Sequence, residues 1–185
     1  MTYYTIGGIV GRSFPIILFT SIIGILTGQI LNFQIENLVS MPIILILIPA
    51  LIKIGGDTGS MLGARLSSAL HMGLGGNVYH NPVVRNSVLS AFIVGMCAFT
   101  FLGIVVWITG MVLEMEIAFA TLMALCLIAG TFELLVVYSA TLVIAFASHR
   151  FGVDPDDTVI PVIATLGDLI GVIGIFITMH LLNII

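Results

Sequence analysis

Long runs of Leu, Ile, Val, Phe and Met, separated by short polar breaks, make up most of the chain, and they are too long to be buried strands. About 20 apolar residues of helix are needed to cross a bilayer core of about 30 Å. Five stretches meet that requirement, at about residues 14–31, 38–72, 87–113, 117–148 and 158–182. The pattern predicts an all-α integral membrane protein with five transmembrane helices. The first stretch is longer than a signal-peptide core and no small-residue cleavage site follows it, so it is expected to stay in the mature protein. Five spans consume roughly 100 residues, so residues 1–185 are expected to form one membrane domain with no soluble domain.

Span two does not read as a uniform helix. Pro49 lies inside it, and Gly55-Gly56-Asp57-Thr58-Gly59-Ser60 follows an apolar run. Each Gly costs a helix interior about 1 kcal/mol relative to Ala, which predicts a broken or distorted helix at Gly55-Gly56. Irregular backbone at membrane depth survives only where it lines a cavity or is buried in protein, and its freed carbonyls can hold cations. Gly24 and Gly28 in span one, and Gly55, Gly59 and Gly63 in span two, have the spacing that allows close helix approach.

Composition removes several function classes. Apolar residues make up 59 % of the chain and charged residues 8 %, against roughly 25 % charged in a soluble domain. A soluble enzyme is excluded. A formal charge of −4 with only five Lys plus Arg does not suit nucleic-acid binding, which rests on phosphate neutralisation. Cys97 and Cys126 lie within apolar runs and are expected to be small buried hydrophobes.

Basic residues are retained on the cytoplasmic side. Arg12, Arg85 and Arg150 fall on one side of the five-span layout, and Glu36, Glu114 and Glu116 on the other. The N-terminus is therefore expected inside and the C-terminus outside.

Five ionisable residues, Lys53, Asp57, Arg65, Glu133 and Asp168, fall within the spans. Each would cost roughly 2.5 to 3.5 kcal/mol at a lipid-facing helix centre, so they must face each other, water or an ion. Asp57 stands four residues after Lys53 and eight before Arg65, and either could pair with it. Asp168 has no basic residue in its own span, and Ala164, Gly167 and Gly171 leave space around it. Pro161 also frees a carbonyl one turn earlier, at Asp157. An uncovered carboxylate with room for water suits a hydrated hard cation such as magnesium. The competing reading pairs Asp168 with Arg65 or leaves it protonated. Asp168, Ala164 and Asp57 are thus the candidate metal-binding residues. Gly55, Gly56, Thr58, Gly59, Ser60, Thr165, Gly167 and Gly171 are candidates to line the path. Glu133 is read as a coupling group or as a buried acid bonded to a hydroxyl such as that of Thr131. His71, His80, His149 and His180 show no metal-ligand spacing. Asp154, Asp156 and Asp157, at the inner mouth of span five, are suited to helix capping and to local cation enrichment.

Two segments carry a resemblance. Pro49 to Gly59 followed by Ala64-Arg65-Leu66-Ser67-Ser68 resembles the second-helix signature of the MgtE-type magnesium channels and transporters, with spacing closest to one repeat of their animal solute-carrier relatives. Asp154-Pro155-Asp156, then Pro161 and Ala164 to Leu169, resembles the pore-helix signature that contains the family's ion-binding aspartate. The resemblance implies a homodimer in a cell membrane whose two Asp168 carboxylates face each other around a shared path, with Mg2+, or another divalent cation, as the transported ion. Two features depart from the family pattern. The usual Gly-Asn is Gly56-Asp57 here, and the cytoplasmic magnesium-sensing domains of bacterial members have no counterpart in these residues.

A passive path would let voltage drive uptake, at about 4.6 kcal/mol per 100 mV for a divalent ion, twice the ~2.3 per unit charge. Exchange against sodium or protons would need a second site, which Asp57 or Glu133 could supply. A membrane-embedded phosphatidyltransferase is a remote alternative. Asp57, Ala64-Arg65 and Gly73 fit its motif, but Ser60, Asn77 and Asn81 stand where three further metal-binding acids are required. The chain is therefore not expected to be an enzyme. A non-transporting scaffold would have no use for Asp168.

Overall fold

The computed structural model describes residues 5–73, 81–115, 117–152 and 155–184, with only the backbone for Arg12 and for residues 155–157. Within them the chain forms six helices: α1 (Ile6–Phe33), α2 (Ile35–Ser40), α3 (Pro42–His71), α4 (Pro82–Val112), α5 (Phe119–Arg150) and α6 (Pro155–Leu181). All but the short α2 are long and apolar enough to cross a membrane, as the hydrophobic runs require.

Local chemistry sets the helix ends. The Thr5 hydroxyl caps α1 by accepting from the Gly8 N–H at 3.2 Å. Asn81 Oδ1 accepts from the Val83 N–H at 2.9 Å, with Pro82 in the first turn of α4, where its missing donor costs nothing. Gly73 and Gly152 follow the ends of α3 and α5 with φ of +74° and +71°, the left-handed stop that favours glycine.

The expected break in span two lies elsewhere. α3 runs unbroken through Gly55-Gly56, and the interruption falls at Met41, between α2 and α3. Met41 precedes Pro42 and has φ −129° and ψ 76°, in keeping with the steric bar that a proline places on helical geometry in the residue before it. The glycines of α3 instead form a contact surface. A Cβ built on Gly56 would lie 3.0 Å from the Ala164 carbonyl oxygen of α6, and one on Gly167 would lie 2.5 Å from the Gly56 Cα. Here α3 and α6 touch backbone to backbone. Gly59 meets Val137 and Ile163, and Gly63 meets Val159. Tertiary contact outweighs the low helix propensity of these residues.

α3 lies at the centre of the bundle, against α4, α5 and α6, while α1 packs chiefly on α6. The core between them holds Phe99, Leu47, Leu51, Leu122, Leu134 and Ile163, all fully buried. The outward side of α1 exposes Phe14, Leu18, Phe19, Ile22 and Ile25, and Gly24 and Gly28 have nothing within 4 Å of an added Cβ. Their close-approach spacing is not used within one chain. Cys126 is buried as expected, whereas Cys97 lies on the exposed side of α4. Hydroxyl side chains mostly bond back into their own helices, as Thr58 does to the Ile54 carbonyl at 2.8 Å and Thr165 to that of Pro161 at 2.9 Å. This keeps their polar atoms satisfied away from water.

Candidate functional site

The charged residues of the spans separate into three places. On α3, the Lys53 ammonium meets Asp57 Oδ1 at 2.8 Å, one helical turn apart, and the two side chains are 65 % and 56 % exposed. The pair borders a groove of about 700 Å3 between α3 and α4, whose walls include Pro49, Ala50, Thr58, Ala98 and Phe101. Asp168 of α6 is half-buried and feels the charges of both Lys53 and Asp57. Ser60 ties the two helices together by donating to the Ile160 carbonyl at 3.3 Å. Ala164, half-buried one turn before Asp168, has its carbonyl turned toward Gly56.

Arg65 does not join this group. Its guanidinium donates to the Ser90 hydroxyl of α4 at 2.8 Å, so it is the partner of neither Asp57 nor Asp168. Eight residues carry it about 12 Å along the helix and about 80° around the axis from Asp57, beyond the reach of a shared contact. The choice left open for Asp57 thus falls to Lys53.

Glu133 of α5 occupies the third place. It is 0 % exposed, and neither carboxyl oxygen has a hydrogen-bond partner among the described residues. The expected Thr131 contact is absent, because the Thr131 hydroxyl donates to the Leu127 carbonyl at 2.6 Å and residues two apart point to different helix faces. Glu133 rests instead against α3 and α6. A Cβ on Gly55 would overlap its carboxyl group, and one on Gly171 would lie 3.0 Å from Oε1.

The glycines expected to line a path, Gly55, Gly56, Gly59, Gly167 and Gly171, are all buried at these helix crossings. The α3 backbone is regular there, so it frees no carbonyls of the kind a broken helix would offer. Asp154, Asp156 and Asp157 lie outside the described side chains. No three described His, Cys, Asp or Glu residues cluster as a metal cage. The groove walls Ala98 and Phe101 are not marked in the sequence, since an apolar residue in an apolar helix carries no distinguishing signal.

Against this geometry, a family model described as MgtE, divalent cation transporter, matches residues 48–178, more than half of the chain. The chain belongs to the MgtE family. No curated protein and no solved structure matches it. MgtE proteins form a transporter family, so the chain is a membrane protein of the divalent cation transport class. The matched region takes in α3 to α6 almost entirely and leaves α1 outside. It therefore contains Lys53, Asp57, Glu133 and Asp168.

Proposed function

We propose that this MgtE-family chain carries magnesium across a cell membrane along a path bounded by α3 and α6, with Asp168 as the carboxylate that holds the ion. The observation behind the reading is the half-buried Asp168 of α6 within range of the charges of the exposed Lys53–Asp57 pair of α3, both on membrane-length helices. Charges at that depth are too costly to leave against lipid. Water, a passing cation or a second copy of the chain must meet them.

A homodimer fits this requirement. Among the described residues one chain presents two acids on this face, Asp168 and an Asp57 already paired with Lys53, and magnesium keeps several of its waters and needs only one or two carboxylates. Two Asp168 side chains around a shared axis would supply that number without a closed protein cage. Asp57 adds a second acid whose charge Lys53 already offsets. The groups able to meet an ion on this face are the Asp168 and Asp57 carboxylates and the hydroxyls of Ser60 and Thr165. With Arg12, Arg85 and Arg150 on the cytoplasmic side, the N-terminus lies inside and voltage favours inward flow.

Magnesium uptake into proteoliposomes tests the reading. Wild-type protein is expected to support uptake, and Asp168→Ala to reduce it to the protein-free leak while the protein still folds. Uptake by Asp168→Ala at the wild-type rate would overturn the assignment.

A further inference from the structure

Glu133 takes no part in the outer face, yet it is a fully buried carboxyl whose two oxygens lack a hydrogen-bond partner among the described residues. An isolated ionised carboxylate in such a place is prohibitive, and the group becomes neutral instead. A cation or a proton can neutralise it. The backbones of Gly55 and Gly171 close in on its flanks, and a magnesium ion with its six-coordinate oxygen shell does not fit between the carboxyl and those contacts. A proton needs no such space. Glycine at both positions has a local reason, since a side chain at either would press on this carboxyl.

We infer that Glu133 is a proton-binding site at the junction of α3, α5 and α6, and that a divalent cation arriving at Asp168 displaces its proton. The inference rests on the reading of Asp168 as the ion-holding residue. Burial is the first reason that Glu133 stays neutral, the negative charge of Asp168 of α6 adds to it, and Gly171, which touches Glu133, follows Asp168 by three residues on the same helix. Lys53 and Asp57 of α3 stand on the far, exposed side of that helix, where each offsets the other. On α5 itself, Tyr138 lies five residues on and feels the charge of Glu133, its hydroxyl donating to the Ala91 carbonyl of α4 at 2.9 Å. α4 presents no described charged side chain to Glu133, because Arg85 lies in its first turn.

With Asp168 empty and ionised, a second negative charge nearby is opposed, and Glu133 keeps its proton. A divalent ion between the two Asp168 carboxylates cancels their charge and removes that opposition to the Glu133 carboxylate. The Glu133 O–H bond then breaks, the electron pair stays on the carboxyl oxygen and the proton passes to water. By reciprocity, a proton on Glu133 weakens metal binding by the same factor as the metal weakens the proton. Such a device exchanges protons for metal without a metal ligand at Glu133.

Infrared spectroscopy of the full chain in lipid, with and without carbon-13 labelling of glutamate, reads the site directly. A protonated-carboxyl stretch at neutral pH that moves with the label supports the inference, and its absence overturns it without recourse to any variant. Magnesium chloride added in weak buffer is then expected to diminish that band and release protons to a pH dye. Glu133→Gln, which keeps shape and neutrality, should bind magnesium and release at least tenfold fewer protons. Release at the wild-type level from Glu133→Gln would overturn the coupling. Failure of the wild type to bind magnesium would instead refute the Asp168 reading, and the labelled band would still decide whether Glu133 holds a proton.

Discussion

The outer face of α3 and α6 and the inner junction of α3, α5 and α6 hold the same functional group in opposite settings. On the outer face, Asp57 is exposed and bridged to Lys53, and Asp168 is half-buried on α6 within range of their charges. At the junction, Glu133 is wholly enclosed and its carboxyl is hydrogen-bonded to none of the described residues. The carboxyl chemistry is identical, so the surroundings decide the role. An accessible acid at membrane depth can meet an ion and keep its charge, whereas an enclosed one must give its charge up. The helices α3 and α6 serve both places by turning their glycines inward and their charges outward.

The strongest way to break this contrast is to crowd the inner site. Gly55→Ala drives a methyl group into the Glu133 carboxyl, and overpacking of this kind costs about 1–3 kcal/mol. Its melting temperature in detergent should fall clearly. Adding Glu133→Ala should recover part of the loss, with a coupling of about 0.5–3 kcal/mol between the two changes. Strict additivity would deny the contact. Gly24→Ala, with open space around it, should leave stability within about 0.5 kcal/mol of wild type.

On the outer face the effects are smaller. Lys53→Met frees the Asp57 carboxylate and should tighten magnesium binding by about 1.4- to fivefold, the range expected for losing an exposed ion pair worth about 0.2–1 kcal/mol. Asp57→Asn should weaken binding by a similar factor. Calorimetric titration with magnesium distinguishes these, and weaker binding by Lys53→Met with tighter binding by Asp57→Asn would remove Asp57 from the ion's surroundings. Ser90→Ala, which removes the partner of Arg65, should change stability by under about 0.5 kcal/mol and leave magnesium uptake unchanged.

The five spans were legible because an apolar run of membrane length has few alternatives, and the charged residues stood out because each is costly there. Which neighbour each one meets was not legible. The glycines of α3 read as a break because helix propensity was weighed without the surfaces of α5 and α6, while Met41-Pro42, where the chain does break, lay inside a continuous apolar stretch. The partner of Arg65 depends on the rotation of α3 against α4, which brings Ser90 alongside. Glu133 carries no sign in its local sequence of the two glycines, on α3 and α6, that enclose it.

The central claim is that a divalent ion resides beside Asp168 of α6. A density map of the lipid-embedded protein soaked in manganese, a divalent stand-in for magnesium that scatters strongly, tests it most directly. The prediction is an ion within one water molecule of the Asp168 carboxylate, between two copies of the chain. Asp168 turned toward acyl chains, with the manganese elsewhere or absent, would contradict it.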